Sequence, residues 1–224
     1  MLPPAERVEV RLPHAEGSPT PRDCEVVVFK EHFFRGLGLP TSELFSRFLV
    51  FFGLQPRHIA PNAFLQLAAY VTLCKGILGI ESRLDLWRNL FYFKKDSAPT
   101  EDPIMKKMTP CGATLVHHRS AFGFPKLPLQ DSVKKWQWGF FYVKIVDPLH
   151  NFINLPPSAI APLNAKLNWS SSLPEPIPEV KLVCAHVVIL KAQGLLARDL
   201  LATMVACRIL SLQHRPHLIC QMDG

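Results

Sequence analysis

The sequence predicts a mainly helical α+β protein, with an N-terminal three-helix cluster, a small antiparallel β-hairpin and a C-terminal helix pair. Three observations carry this. Between Thr41 and Lys95, apolar residues recur at helical spacing in blocks that open on capping residues and stop at Gly or Pro. Segments 112–117 and 138–146 are short and rich in branched and aromatic residues, which suits strands. Residues 179–209 then return to the helical period. With 224 residues and 48% hydrophobic content the chain is long and apolar enough to bury a core, which excludes a wholly disordered chain. Its 21 prolines approach twice the usual share of about 5%. They gather between apolar blocks, so short elements with stiff joints are expected.

Residues 1–25 mix Pro, Ser, Gly and charge without periodicity and read as a disordered leader. Residues 26–146 read as a helical domain with the hairpin. Its first strong helix has Thr41 or Ser42 as N-cap, then Leu44, Phe45, Phe48, Leu49, Phe51 and Phe52, and ends at Gly53, where a left-handed cap favours a residue without a Cβ. Pro61 suits the first turn of a second helix running through Phe64, Leu67, Val71 and Cys74. Residues 63–80 sit at the lower length limit for a membrane span. With Lys75 and several polar residues inside and amphipathic neighbours on both sides, they read better as a central core helix. Ser82-x-x-Asp85 resembles a capping box for a third helix carrying Leu84, Trp87, Leu90 and Phe91. Phe45, Phe48, Leu49, Leu67, Val71, Trp87 and Leu90 are expected to share one core. The strands at 112–117 and 138–146 are expected to pair with each other across a long connection. Residues 147–178 form a Pro-rich crossover, and 179–224 a C-terminal helical segment packed on the same domain. There, Val180, Val183, Cys184, Val187 and Leu190 carry the helical period of one helix, Gly194 stops it, and Leu200, Leu201, Met204 and Val205 are expected to point inward from a second.

Net charge is +7, concentrated as +4 in residues 31–95 and +3 in residues 96–146. The basic pairs Lys94-Lys95, Lys106-Lys107 and Lys134-Lys135 are the candidate nucleic-acid contacts. Isolated pairs of this kind more often sit at solvated helix ends or loops. The six cysteines are widely spread and no apolar leader precedes them, so free thiols in a reducing intracellular compartment, cytoplasmic or nuclear, are expected. Asn168-Trp169-Ser170 matches a glycosylation tripeptide that such a compartment leaves unused.

The stretch EHFFRGLGLPTSELFSRFLVFFGLQPRHIAPN followed by AFLQLAAYVTLCKGILGIESRLDLWRNLFYFKK resembles the gypsy-type transposon, or transposase, domain family of plants, mostly grasses. Similar motifs continue in MTPCGATLVHHRS, in KWQWGFFYVK and in residues 160–222, so the resemblance spans Val28 to Met222. It implies a transposon-derived protein and, by name alone, a transposase. At Trp138 and at Ala206-Cys207-Arg208 this chain is less basic than the family, which argues against an inherited nucleic-acid role. The longer members continue in charged, helix-prone sequence, so the end at QMDG reads as a truncated copy.

The chemistry of mobile-element enzymes needs recognisable groups. No Asp-Thr/Ser-Gly tripeptide, paired metal-binding aspartates, G-x-S-x-G or Walker loop occurs. His117-His118 would face opposite sides of a strand and cannot readily share a metal. Cys207, His214, His217 and Cys220 are suitable zinc ligands in unsuitable spacing, and Cys207 lies in an apolar pattern where a thiol acts as a small hydrophobe. His58 reads as a capping or surface residue. The expectation is therefore a non-catalytic, coat-like protein-interaction domain that binds no metal or cofactor. Its partner would be another protein or itself, through apolar surface that includes Leu218 and Ile219. Non-specific nucleic-acid binding is the alternative, transposase activity the third reading, and membrane insertion is not expected.

Overall fold

The computed structural model describes residues 8–14, 16–17, 19–38, 41–95, 112, 114–119, 123–127, 129, 135–145 and 175–209. They form a mainly helical α+β arrangement. Strands β1 (Val8–Arg11), β2 (Glu25–Phe29) and β5 (Phe140–Ile145) make one antiparallel sheet in the order β1-β5-β2. Strands β3 (Phe91–Lys95) and β4 (Thr114–His118) make a second. The helices are α1 (Lys30–Phe34), α2 (Glu43–Phe52), α3 (Pro61–Thr72), α4 (Leu84–Leu90), α5 (Pro178–Ala192) and α6 (Ala197–Met204).

The local signals for α2 and α3 hold. Ser42 Oγ accepts from Phe45 N at 3.3 Å, and Gly53 closes α2 in the left-handed conformation at φ 62°. Pro61 opens α3, which continues as a wider π-turn over Leu73–Leu78. Helix α3 is buried on nearly every side, as a central helix should be. It packs against α1, α6 and β4, while α4 packs against both α2 and α5. Phe45, Phe48, Leu49, Leu67, Val71, Trp87 and Leu90 do share one core, and Val180, Cys184, Val187, Ala197 and Leu200 join it from α5 and α6. At its centre the fully buried Trp87 meets Phe48 edge-on at 4.5 Å and stacks near Phe91 at 5.5 Å.

Four expectations are corrected. The strands near 112–117 and 138–146 exist as β4 and β5, but they do not pair together. β5 alternates Phe140 and Tyr142 on one face with Phe141 and Val143 on the other, so both faces are apolar. A strand of that kind is stabilised between two partners, and β1 and β2 supply them. β4 pairs instead with β3, which places Phe91, Phe93 and Val116 against the core. Secondly, residues 8–11 are a strand rather than part of a disordered leader, because β5 offers an edge and Arg11 a partner for Glu25. Thirdly, α4 is capped at Arg83, not Ser82, and the Asp85 carboxylate receives Leu86 N at 2.8 Å and the Arg83 guanidinium. Lastly, Val205 faces outward, because the helix widens into a π-turn at that residue and rotates the following side chains.

No single helix is long and apolar enough to cross a membrane among the described residues. The α5 and α6 pair passes on length and composition only when its two limbs, bent by 105°, are joined.

Candidate functional site

Three regions hold buried polar groups or exposed apolar surface, and each follows from local sequence. In the first, the run Phe29 to Phe34 turns from strand β2 into α1 and carries His32 inward. His32 Nε2 donates to the Ile59 carbonyl at 3.0 Å, which fixes the tautomer and leaves Nδ1 without a partner among the described residues. Its ring packs against Phe64 at 4.1 Å and Phe29 at 5.3 Å. Burial pushes its pKa down to about 3. His58 is a cap as expected, accepting Gln55 N on Nδ1 at 3.1 Å, but it is buried rather than at the surface. Burial, with the charge of Arg57, lowers it to about 4. Neutral imidazoles at these depths brace backbone.

The second region joins β1, β2 and β5. Arg11 grips Glu25 in bidentate fashion, at 2.8 and 2.7 Å, and its guanidinium lies 3.7 Å from the centroid of the Tyr142 ring. Tyr142 donates its hydroxyl proton to Glu16 and accepts Thr20 N at 2.8 Å. Hydrogen bonding holds both carboxylates below the usual range, Tyr142 being the larger cause at Glu16 and Arg11 at Glu25. All four groups are engaged with one another, which makes this a structural clasp.

The third region is the outer side of α5. Val180, Cys184 and Val187 bury the inner side, while Leu182, Val188 and Ile189 stand exposed with Leu196 just beyond the helix. Sequence reasoning placed the inner residues correctly and overlooked the outer ones. The signal was present: VKLVCAHVVIL is apolar around the whole helix. A separate cleft of about 80 Å³ opens between Gly36, Leu37 and Thr41 and the helices α2 and α3, floored by Phe45, Phe64, Leu67 and Val71. Among the described residues its lining offers no ionisable side chain.

Of the predicted nucleic-acid contacts, Lys94, Lys95 and Lys135 are among the described residues. Lys94 and Lys95 end β3, whereas the exposed Lys135 precedes the 3-10 turn Trp136–Trp138 that leads into β5. These elements belong to different sheets. Lys106, Lys107, Lys134, Leu218 and Ile219 lie outside the described residues, as do His214, His217 and Cys220. Cys207 is exposed, not buried as expected, because it lies within the π-turn Val205–Ile209 that also turns Val205 outward. His117 and His118 take opposite faces of β4, against Tyr92 at 5.5 Å and Phe91 at 5.1 Å. No three of His, Cys, Asp or Glu converge as metal ligands among the described residues. The buried thiols of Cys74 and Cys184 are both pushed up to about 11 by burial, so they stay protonated.

Residues 26–95, from β2 to the end of β3, match the family model described as "Putative gypsy type transposon". The motifs at 108–120, 135–144 and 160–222 lie outside that match. No curated protein and no solved structure matches the chain.

Proposed function

Because residues 26–95 carry the domain of the gypsy-type transposon family, we propose that the chain is a non-catalytic, coat-like assembly protein that works through protein contacts made by the outer face of α5. The observation that supports this reading is the exposure of Leu182 at 72% and Ile189 at 52% on a helix whose inner face already fills the core. A helix packed on a core ordinarily turns polar residues to water. Here Leu182, Ala185, Ile189 and Ala192 form an exposed stripe at i, i+3, i+7 and i+10. Large and small side chains alternate along it, so it interlocks with a second, antiparallel copy of itself, Leu182 facing Ala192 and Ala185 facing Ile189. The partner is therefore a second copy of this chain.

Size-exclusion chromatography with light scattering, over a concentration series, tests the reading. The parent is expected to pass from monomer to dimer as concentration rises. Leu182→Glu combined with Ile189→Glu should leave it monomeric at an unchanged melting temperature, since both side chains are exposed. A parent that is monomeric throughout, or a variant that associates like the parent, would overturn it.

A further inference from the structure

We propose that the turn Trp136–Trp138, together with Lys30, is a stacking platform for single-stranded nucleic acid, with one base on the Trp138 indole and the flanking phosphates on Lys135 and Lys30. Trp138 is 72% exposed, although an indole is among the side chains that gain most from burial. Two cations stand beside it. Lys135 Nζ lies over one face of the ring, 5.5 Å from its centroid, which leaves the other face for a base. Lys30 lies along the next residue, Gly139, where a Cβ would meet its Cδ at 3.4 Å. Both lysines are exposed, and neither makes an ion pair among the described residues. The nearest acidic residue along the chain is Glu31, next to Lys30.

The platform is held from beneath. Trp136 packs on Phe29 at 4.7 Å and His32 at 5.5 Å. A Cβ on Gly112 would fall 2.3 Å from the Trp136 ring, so the indole seats there only over a glycine. Lys30 N donates to Gly139 O at 2.8 Å, which ties α1 to the end of the turn. Lys135 adopts φ 61°, a left-handed conformation that a residue with a side chain takes at a cost. A glycine would take it freely, but a lysine there places a cation beside the ring.

An open π-face with neighbouring unpaired cations is the arrangement that binds unpaired nucleotides, since bases of any identity stack and phosphates pair with the amines. A duplex offers no free base face. An apolar protein surface would cover the indole but leave two cations uncompensated. The site lies on the sheet side of the molecule and involves no residue of α5, so the two readings stand or fall separately.

Fluorescence anisotropy of labelled 12-nucleotide oligouridine and of a duplex of equal length, with the full chain at several salt concentrations, tests this. The single strand should bind more tightly than the duplex. Trp138→Ala should weaken single-strand binding about tenfold or more, while Trp138→Phe keeps most of it. Lys30→Gln with Lys135→Asn, the latter tolerant of positive φ, should reduce the slope of log affinity against log salt by about 1.4, at roughly 0.7 per phosphate contact. Melting temperatures of the Trp138 variants should match the parent. Absence of single-strand binding at low salt would overturn the proposal, as would parent-like binding by Trp138→Ala. So would a Trp138→Ala protein that keeps its oligonucleotide affinity but loses self-association, which would mark a protein contact instead.

Discussion

His32 and His58 show how single residues set the response of this protein to acid. Their folded pKa values lie at about 3 and about 4, below the value of about 6.5 for an unfolded imidazole. Below pH 6.5 the unfolded chain therefore binds more protons than the folded one. Their contribution to stability is complete above about pH 6.5 and is lost as pH falls towards 4 and then 3. Urea midpoints should drop between pH 7.5 and pH 5, and His32→Phe should flatten that dependence while removing the donor to Ile59. A variant with the parent's pH dependence would show that the imidazole is already solvated. Trp87 acts through volume instead. It is fully buried among Phe48, Phe91 and Phe93, so Trp87→Ala should cost about 3–5 kcal/mol by leaving a cavity. Thermal or denaturant unfolding measures it, and a variant as stable as the parent would contradict the packing described.

At the scale of elements, helix ends are local and strand partners are not. The Ser42 cap on α2 is a contact across three positions, and Ser42→Ala should lower stability by about 1 kcal/mol. Hydrogen exchange confined to the first turn of α2 would speed up accordingly; unchanged exchange would mean that the hydroxyl contributes nothing. The same locality explains why α2, α3 and α5 were legible within a residue or two. Strands β4 and β5 were also legible as strands, from composition. Their partners depended on which other strands exist, and β1 was hidden within a polar leader because only Val8 and Val10 alternate there. The Arg11 clasp went unseen for the same reason, since Glu25 and Tyr142 lie 14 and 131 positions away. His32 gave no signal because a histidine in EHFF reads equally as surface or core. The outer face of α5 was readable but was passed over, as attention to an inward stripe ignores what a uniformly apolar helix leaves outside.

For the molecule as a whole, one apolar core runs from β2 through α2, α3 and α4 to α5 and α6. Residues separated by more than half the chain therefore share their burial, and unfolding should be a single transition. Tryptophan fluorescence and far-ultraviolet circular dichroism should give coincident curves in urea; separated midpoints would mean that α5 and α6 melt apart from the rest. The central place of β5 has a further consequence, which concerns the order in which the chain is made. β1 and β2 emerge first, yet the strand between them is translated about 110 residues after Phe29, a delay of roughly 5–20 s at ordinary elongation rates. Throughout that interval two nascent strands rich in valine have no native partner. The helices between them can mature in the meantime, so the ribosome-bound chain passes through a stage in which a helical cluster carries open strand edges. Chaperones that shield such edges would have their window of action there, and it closes when Ile145 leaves the exit tunnel.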